Sequence, residues 1–196
     1  MISPVTKFQQ YWRLAKEQGD ISAKYCTLAT VDESGQSRLR TLVLRDVTVD
    51  SFIVFINSSS PKWIDVNSSG SLELLCFWPS LMRQHRIRGS LSVLSQSEMK
   101  LHWVRKPYES KLLDYFYYEH PQSSEIPSRE ELVEGINLLK QRFPNAESIP
   151  YCENAQGIAI KADYVECWHL SEHDNIHHRS LYTLSEAGWQ RQLLVP

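Results

Sequence analysis

Residues 40–89 read RTLVLRDVTVDSFIVFINSSSPKWIDVNSSGSLELLCFWPSLMRQHRIRG, and this stretch decides the fold. Arg38–Arg45 and Ser51–Asn57 are β-branched and apolar enough to be strands. Ser60 followed by Pro61 is a helix start: the serine would cap, and a proline at the first helical position loses no hydrogen bond it needed. Leu72–Trp78 is apolar on nearly both faces, which predicts cover on both sides, by helices or by a second subunit. Beyond it Ile87, Gly89, Leu91 and Val93 alternate with Arg86, Arg88, Ser90 and Ser92, so that strand has one wet or functional face.

Upstream, Ser3 and Pro4 open a helix whose face is Val5, Phe8, Trp12 and Ala15, and Gly19 closes it. Tyr25–Val31 is a strand, and Asp32–Gly35 (DESG) turns it into the next. Downstream, Ser95 with Glu98 spells a capping box for a helix reaching about Lys106, and a second, aromatic helix follows Pro107 to about Glu119. Ser128 with Glu131 is another capping box, ahead of a buried stripe of Leu132, Ile136, Leu139 and Phe143. Strands are predicted at about 157–169, 179–184 and 190–194. The Pro-bearing linkers 121–127 and 144–153 separate no segments that would each bury a core, so residues 1–196 are expected to form one domain.

A chain of 196 residues buries about 70% of the surface its unfolded form exposes and needs no staples. Its net charge of −2 gives no global reason to bind nucleic acid. No stretch approaches the roughly 20 apolar residues of a bilayer span, and the N-terminus has no secretory h-region, so a cytoplasmic protein without membrane contact is expected. Cys26, Cys76, Cys152 and Cys167 form no CxxC pair and read as free, mostly buried thiols. His169, His173, His177 and His178 are close in sequence, but the region reads as strand then loop and no cysteine or carboxylate framework completes a set. No metal site is predicted.

The segment Asn57–Trp63 (NSSSPKW) has its own chemistry. A helix N-terminus carrying Lys62 in its first turn presents N–H groups, the helix dipole and an ammonium to one anion, and a phosphate would fit. The alternative is a Ser60 that merely caps and a solvated Lys62.

Together these motifs, in this order over almost the whole chain, resemble the pyridoxamine 5'-phosphate oxidase family. The resemblance implies a β-rich α+β fold, an FMN-binding split β-barrel with peripheral helices, and a homodimer that holds FMN at its interface. It implies that Arg40 and Lys62 hold the flavin phosphate beside Ser60. The backbone of Arg40, Thr41, Leu42, Val43, Leu44 and Arg45 would lie along the cofactor, with Phe55 and Ile56 next to it and Gln84 in contact. Gln122 and Ser123 match a pair that the second subunit offers, and Trp168 and Arg179 match residues near the isoalloxazine ring. On the substrate side it implies an anion clamp of Arg45, His102, Lys106 and Ser110, with Asn175 and His177 over the substrate ring. His177 is the candidate for proton handling.

The departures bear on substrate. Pro61 stands in place of a second basic residue of the phosphate site, and Phe55 and Ile56 in place of a Tyr-Thr pair. Arg45, His102 and Lys106 keep positive charge where the family has Lys, Tyr and Arg, but with a different donor arrangement. Asn175 replaces an arginine, and the family's basic N-terminal arm has no counterpart ahead of Ser3. The expected activity is FMN-dependent oxidation of a small amine or alcohol. The rivals are a flavin-dependent reductase fed by a nicotinamide donor, with no GxGxxG fingerprint to hold the donor tightly, and a flavin-binding module without turnover.

Overall fold

The computed structural model describes residues 2–171 and 173–196. Helix α1 (Pro4–Glu17) is followed by strands β1 (Tyr25–Val31), β2 (Ser37–Val47) and β3 (Ser51–Asn57), helix α2 (Pro61–Ser69), and strands β4 (Leu72–Trp78) and β5 (Arg83–Val93). Helices α3 (Gln96–Val104), α4 (Tyr108–Phe116) and α5 (Arg129–Arg142) then precede β6 (Ala155–Leu170), β7 (His177–Ser185) and β8 (Gly188–Leu194). Every strand and helix expected from the sequence is present, with β6 and β7 each longer than expected at both ends. Among the described residues no helix is long and apolar enough to cross a membrane.

All pairings are antiparallel, in the order β3-β2-β1-β4-β5-β6-β7-β8, and β3 also pairs with β6, closing six strands into a barrel. Strand β6 is the shared element. Its first half, Ala155–Lys161, pairs with β3, while its second half, Tyr164–Leu170, pairs with β7. Strand β5 runs along both halves, with a register shift between Arg88 and Gly89 where β6 changes partner. A Cβ at Gly89 would stand 1.8 Å from the Lys161 carbonyl oxygen, so only glycine lets the strands approach at this corner.

Helix α1 seals the barrel. The Ser3 hydroxyl accepts from Val5 N–H at 3.2 Å, and the apolar face turns Phe8 fully inward against Phe52, Trp78 and His85, at ring separations of 4.8, 4.9 and 5.0 Å. Burying such a ring contributes about 2–3 kcal/mol. His85 is wholly enclosed there. Burial, with Arg83 and His169 nearby, lowers its pKa to about 3, so it packs as a neutral aromatic.

Helices α3, α4 and α5 build a second small core of Trp103, Leu112, Phe143, Ile149, Cys152 and Ala155. The linker 144–153 is pinned to it. Trp103 Nε1–H donates to the Ile149 carbonyl (3.2 Å), Lys111 Nζ to that of Ala146 (2.9 Å) and the Tyr115 hydroxyl to that of Pro150 (3.2 Å).

Two expectations need correction, at α5 and at Ser60. The α3 capping box forms in full, but at α5 only Ser128 caps, accepting from Glu131 N–H at 3.2 Å, and Leu132, Ile136 and Leu139 are only half-buried because α5 lies at the rim. Strand β4 buries Leu74, Cys76 and Trp78, while Phe77 on its other face is 38% exposed, so the chain itself covers one side and leaves the other for a second subunit, the alternative the sequence leaves open. Ser60 sits at the N-cap of α2, but its hydroxyl donates to the Asn57 carbonyl at 2.6 Å instead of capping. The four cysteines are free, three of them buried.

Gly89→Ala should cost about 3 kcal/mol or more, because the clash is with backbone and no side chain can yield. Thermal unfolding would register this as a drop of roughly 6–12 °C for a chain of this size. A change under about 2 °C would show that the β5–β6 corner is softer than its packing indicates.

Candidate functional site

Two clefts lie side by side and share Leu42, Lys62 and Gln122. The first, of about 520 Å³, is lined by Arg38, Leu39, Arg40, Thr41 and Leu42 of β2, by Pro61 and Lys62 of α2, and by Gln122 and Ser123. The second, of about 190 Å³, runs from Leu42, Arg45, Phe55, Ile56 and Asn57 to the face of α4. That face presents Ser110, Leu113, Asp114 and Tyr117 with Lys106 just ahead of the helix, the i, i+4 spacing of one helical side.

The larger cleft gathers cations that are held in place. Asp65, 3% exposed on α2, pairs with Arg38 at 3.2 Å and Arg40 at 3.6 Å and accepts from the Thr30 hydroxyl at 2.7 Å. Arg40 also donates to Thr30 Oγ1 at 2.6 Å, so its guanidinium is held from beneath. Lys62 is 8% exposed and its ammonium donates to Gln122 Oε1 at 2.6 Å, with no carboxylate in salt-bridge contact among the described residues. Burial first and the neighbouring Arg40 second push its pKa down to about 8, against a partial offset from Asp114. Two cations crowded out of water in this way favour an anion between them.

The smaller cleft carries mixed charge. Lys106 and Asp114, both nearly buried, form a very close ion pair, and Asn57 Nδ2 donates to the same carboxylate at 3.3 Å. The Arg45 guanidinium lies over the Phe55 ring at 5.0 Å, and its Nε is buried without a hydrogen-bond partner among the described residues. His102 does not line the cleft; it packs edge-on against Phe55 at 5.1 Å. Leu44 is 4% exposed and points into the barrel, while Thr41 and Val43 face outward, so residues 40–45 offer both sides of an edge.

Gln84, Trp168 and Arg179 are aligned elsewhere. The pairings Gln84 with Trp168 and Trp168 with Arg179 place them in one row across β5, β6 and β7, on the face opposite the buried His85. Arg179 Nε donates to the buried Glu166 at 2.8 Å, and Glu166 also meets Arg86 (3.4 Å) and the Tyr164 hydroxyl (3.1 Å). Burial works to raise the Glu166 pKa, but Arg179 and Arg86 carry it net below the usual carboxylate range. His177 rests against Trp168, ring centroids 4.9 Å apart, and Asn175 is exposed in the preceding turn at φ 56°. None of these five residues lines either cleft.

The expected site residues therefore separate into two sets within one chain. Gln122 and Ser123, expected to reach in from a partner, instead complete this chain's own cleft, and Gln122 N–H donates to Ser59 Oγ at 3.0 Å. Asp114, Asn57 and Tyr117 were not among the expected residues. The spacing Lys106, Ser110, Asp114 was the available signal for the first of them.

Fold and clefts define a split β-barrel of the kind found in FMN-binding proteins. Residues 15–137 match the family model described as pyridoxamine 5'-phosphate oxidase. A pyridoxine/pyridoxamine 5'-phosphate oxidase from Cytophaga hutchinsonii is 33% identical over 99% of this chain and 89% of its own length, and one from Psychrobacter sp. is 30% identical over 98% and 89%. The chain belongs to the pyridoxamine 5'-phosphate oxidase family, a relationship that supports an oxidoreductase. Among solved structures, PhzG from Burkholderia lata in complex with tetrahydrophenazine-1-carboxylic acid superposes with a TM-score of 0.89 at 21% identity, covering 100% of this chain and 94% of that one. A pyridoxamine 5'-phosphate oxidase-related, FMN-binding protein from Nostoc punctiforme gives 0.77 at 19%, covering all of both chains.

The Lys62 pKa of about 8 has a definite pH consequence. The ammonium is disfavoured in the folded chain, so its penalty is full below pH 8 and fades as pH rises toward the unfolded lysine value of about 10.5. The stability of the wild-type protein minus that of Lys62→Met should therefore increase across that window. Inorganic phosphate should raise the melting temperature of the wild type more than that of the variant. Equal responses, with a flat difference against pH, would mean Lys62 does not serve an anion.

Proposed function

We propose that the protein is a homodimeric FMN-dependent oxidoreductase, with the flavin phosphate held by Arg40 and Lys62 in the larger cleft. The observation that carries this reading is the crowded cation pair itself: Lys62 is buried beside Arg40, which Asp65 and Thr30 fix in place. A terminal monophosphate at the start of α2 relieves both the repulsion and the lost hydration. Gln122 and Ser123 stand at the same cleft to add hydrogen bonds.

Bound there, FMN supplies a two-electron acceptor for the hydride of an amine or alcohol carbon, with dioxygen as the onward acceptor. The chain's residues position and enclose. The smaller cleft, with Arg45 and Ser110, takes the anionic end of the substrate next to the cofactor. Gln84, Trp168 and Arg179 form an outward row remote from their own cleft, and two-fold pairing would present this row to the cleft of the other subunit. Phe77 lies in the same row, 38% exposed, opposite Gln84. His177, against Trp168, would then face the substrate from the partner side and move a proton there.

The purified protein should be yellow, release FMN on denaturation, and lose affinity for FMN at least tenfold on Lys62→Ala. Anaerobic bleaching by an amine or alcohol, without NAD(P)H, identifies the oxidase. Bleaching only with NAD(P)H would replace it by a reductase, and a colourless protein that takes up no FMN would end the proposal.

Oxidation of pyridoxine or pyridoxamine 5'-phosphate should be slow, because Asn175 supplies no charge over the substrate ring. Asn175→Arg should raise that turnover, at a strain cost of about 1 kcal/mol for placing arginine at φ 56°. Hydrogen peroxide formation under air measures both. Brisk oxidation by the unmodified protein would show that Asn175 is no handicap.

A further inference from the structure

The smaller cleft has a charge balance that specifies the substrate's anion. With Arg40 and Lys62 committed to the flavin phosphate, the side chains left to a substrate are Arg45, Lys106 and Asp114. Lys106 and Asp114 neutralise each other in a close, nearly buried pair. Asn57 Nδ2 donates to the same carboxylate at 3.3 Å. One cation remains. Arg45 has a buried Nε without a hydrogen-bond partner among the described residues and a guanidinium 5.0 Å from the centre of the Phe55 ring, a planar fork fit for a two-oxygen anion.

We propose that this cleft takes a substrate bearing a single negative charge, a carboxylate bound by Arg45, and that Asp114 is the specificity-determining residue that excludes a dianionic phosphate. The inference rests on the FMN reading, because it assigns Lys62 to the cofactor. Its physical basis is that a dianion would bring one charge more than Arg45 compensates, next to a carboxylate with little access to water. A monoanion meets Arg45 alone and leaves the Lys106–Asp114 pair intact. The apolar wall of Leu42, Ile56 and Leu113 suits the body of such a molecule.

The test uses the flavin-loaded protein and a matched pair of probes, benzoate and phenyl phosphate, titrated by calorimetry near pH 7.5, where the ester is mainly a dianion. Flavin content is read from absorbance first, so a failure to hold FMN is seen before any anion is added. The wild type should bind benzoate at least about tenfold tighter than phenyl phosphate, and Asp114→Asn should shift that ratio at least about tenfold toward phenyl phosphate by freeing Lys106. Arg45→Met should abolish benzoate binding. If Asp114→Asn does not fold, the wild-type ratio and Arg45→Met still decide. A flavin-loaded wild type that prefers phenyl phosphate, or binds no benzoate, overturns the proposal and leaves the flavin reading intact. So does a folded Asp114→Asn with an unchanged ratio, or benzoate binding that survives Arg45→Met.

Discussion

The architecture depends on one strand serving two neighbours. Strand β6 closes the barrel through β3 with its first half and carries β7 and β8 with its second, and the exchange is possible because Gly89 lets the Lys161 carbonyl approach where a side chain could not fit. Had β6 stayed with β3 along its whole length, β7 would have no edge to join. The row of Gln84, Trp168 and Arg179 would then not exist, since it is assembled from pairings beyond the corner. The same corner keeps that row away from the β2–α2 cleft. One backbone constraint thus shapes the barrel and divides the chemical groups into two sets.

Three buried carboxylates hold the two sets. Asp65 fixes Arg38 and Arg40, Glu166 fixes Arg86 and Arg179, and Asp114 fixes Lys106. Buried pairs of this kind contribute little net stability, because desolvation offsets much of the attraction, but they hold long side chains in one geometry. Among the lysines of the clefts Lys62 is the exception, a nearly buried ammonium bonded, among the described residues, only to a neutral amide oxygen, and it marks where an added negative charge gains most. Arg179 is therefore both the ion-pair partner of Glu166 and a candidate cofactor residue, since Nε faces Glu166 and the outer guanidinium nitrogens remain.

Local rules made most of the fold legible. Ser3-Pro4, Ser95 with Glu98, and the β-branched runs each specify an element through near-neighbour contacts, and each formed. What the sequence hid was geometry between distant segments. Ser60 looked like a cap, but the Asn57 carbonyl three residues back took its hydroxyl. Gln122 and Ser123 were read as a partner's contribution, and only the path of the 117–123 segment beside Ser59 shows that they belong to the chain's own cleft. Asp114 is not legible as a site residue in the sequence, because its burial depends on Lys106 and Asn57 converging from different elements. The resemblance implies a list of candidate site residues; their division into two sets is not legible in it, because it is a property of the closed barrel.

The central claim is that a working site takes the cleft of one subunit and the β5–β6–β7 row of the other, and complementation between two defective variants tests it most directly. Lys62→Met damages the cleft and Arg179→Met damages the row, so each homodimer should be nearly inactive in substrate-driven flavin reduction. Unfolding and refolding them together in equal amounts should restore about a quarter of wild-type sites, since half the dimers are mixed and each mixed dimer has one undamaged site. Activity that stays at the level of the separate variants would place cleft and row in the same subunit's site and contradict the account.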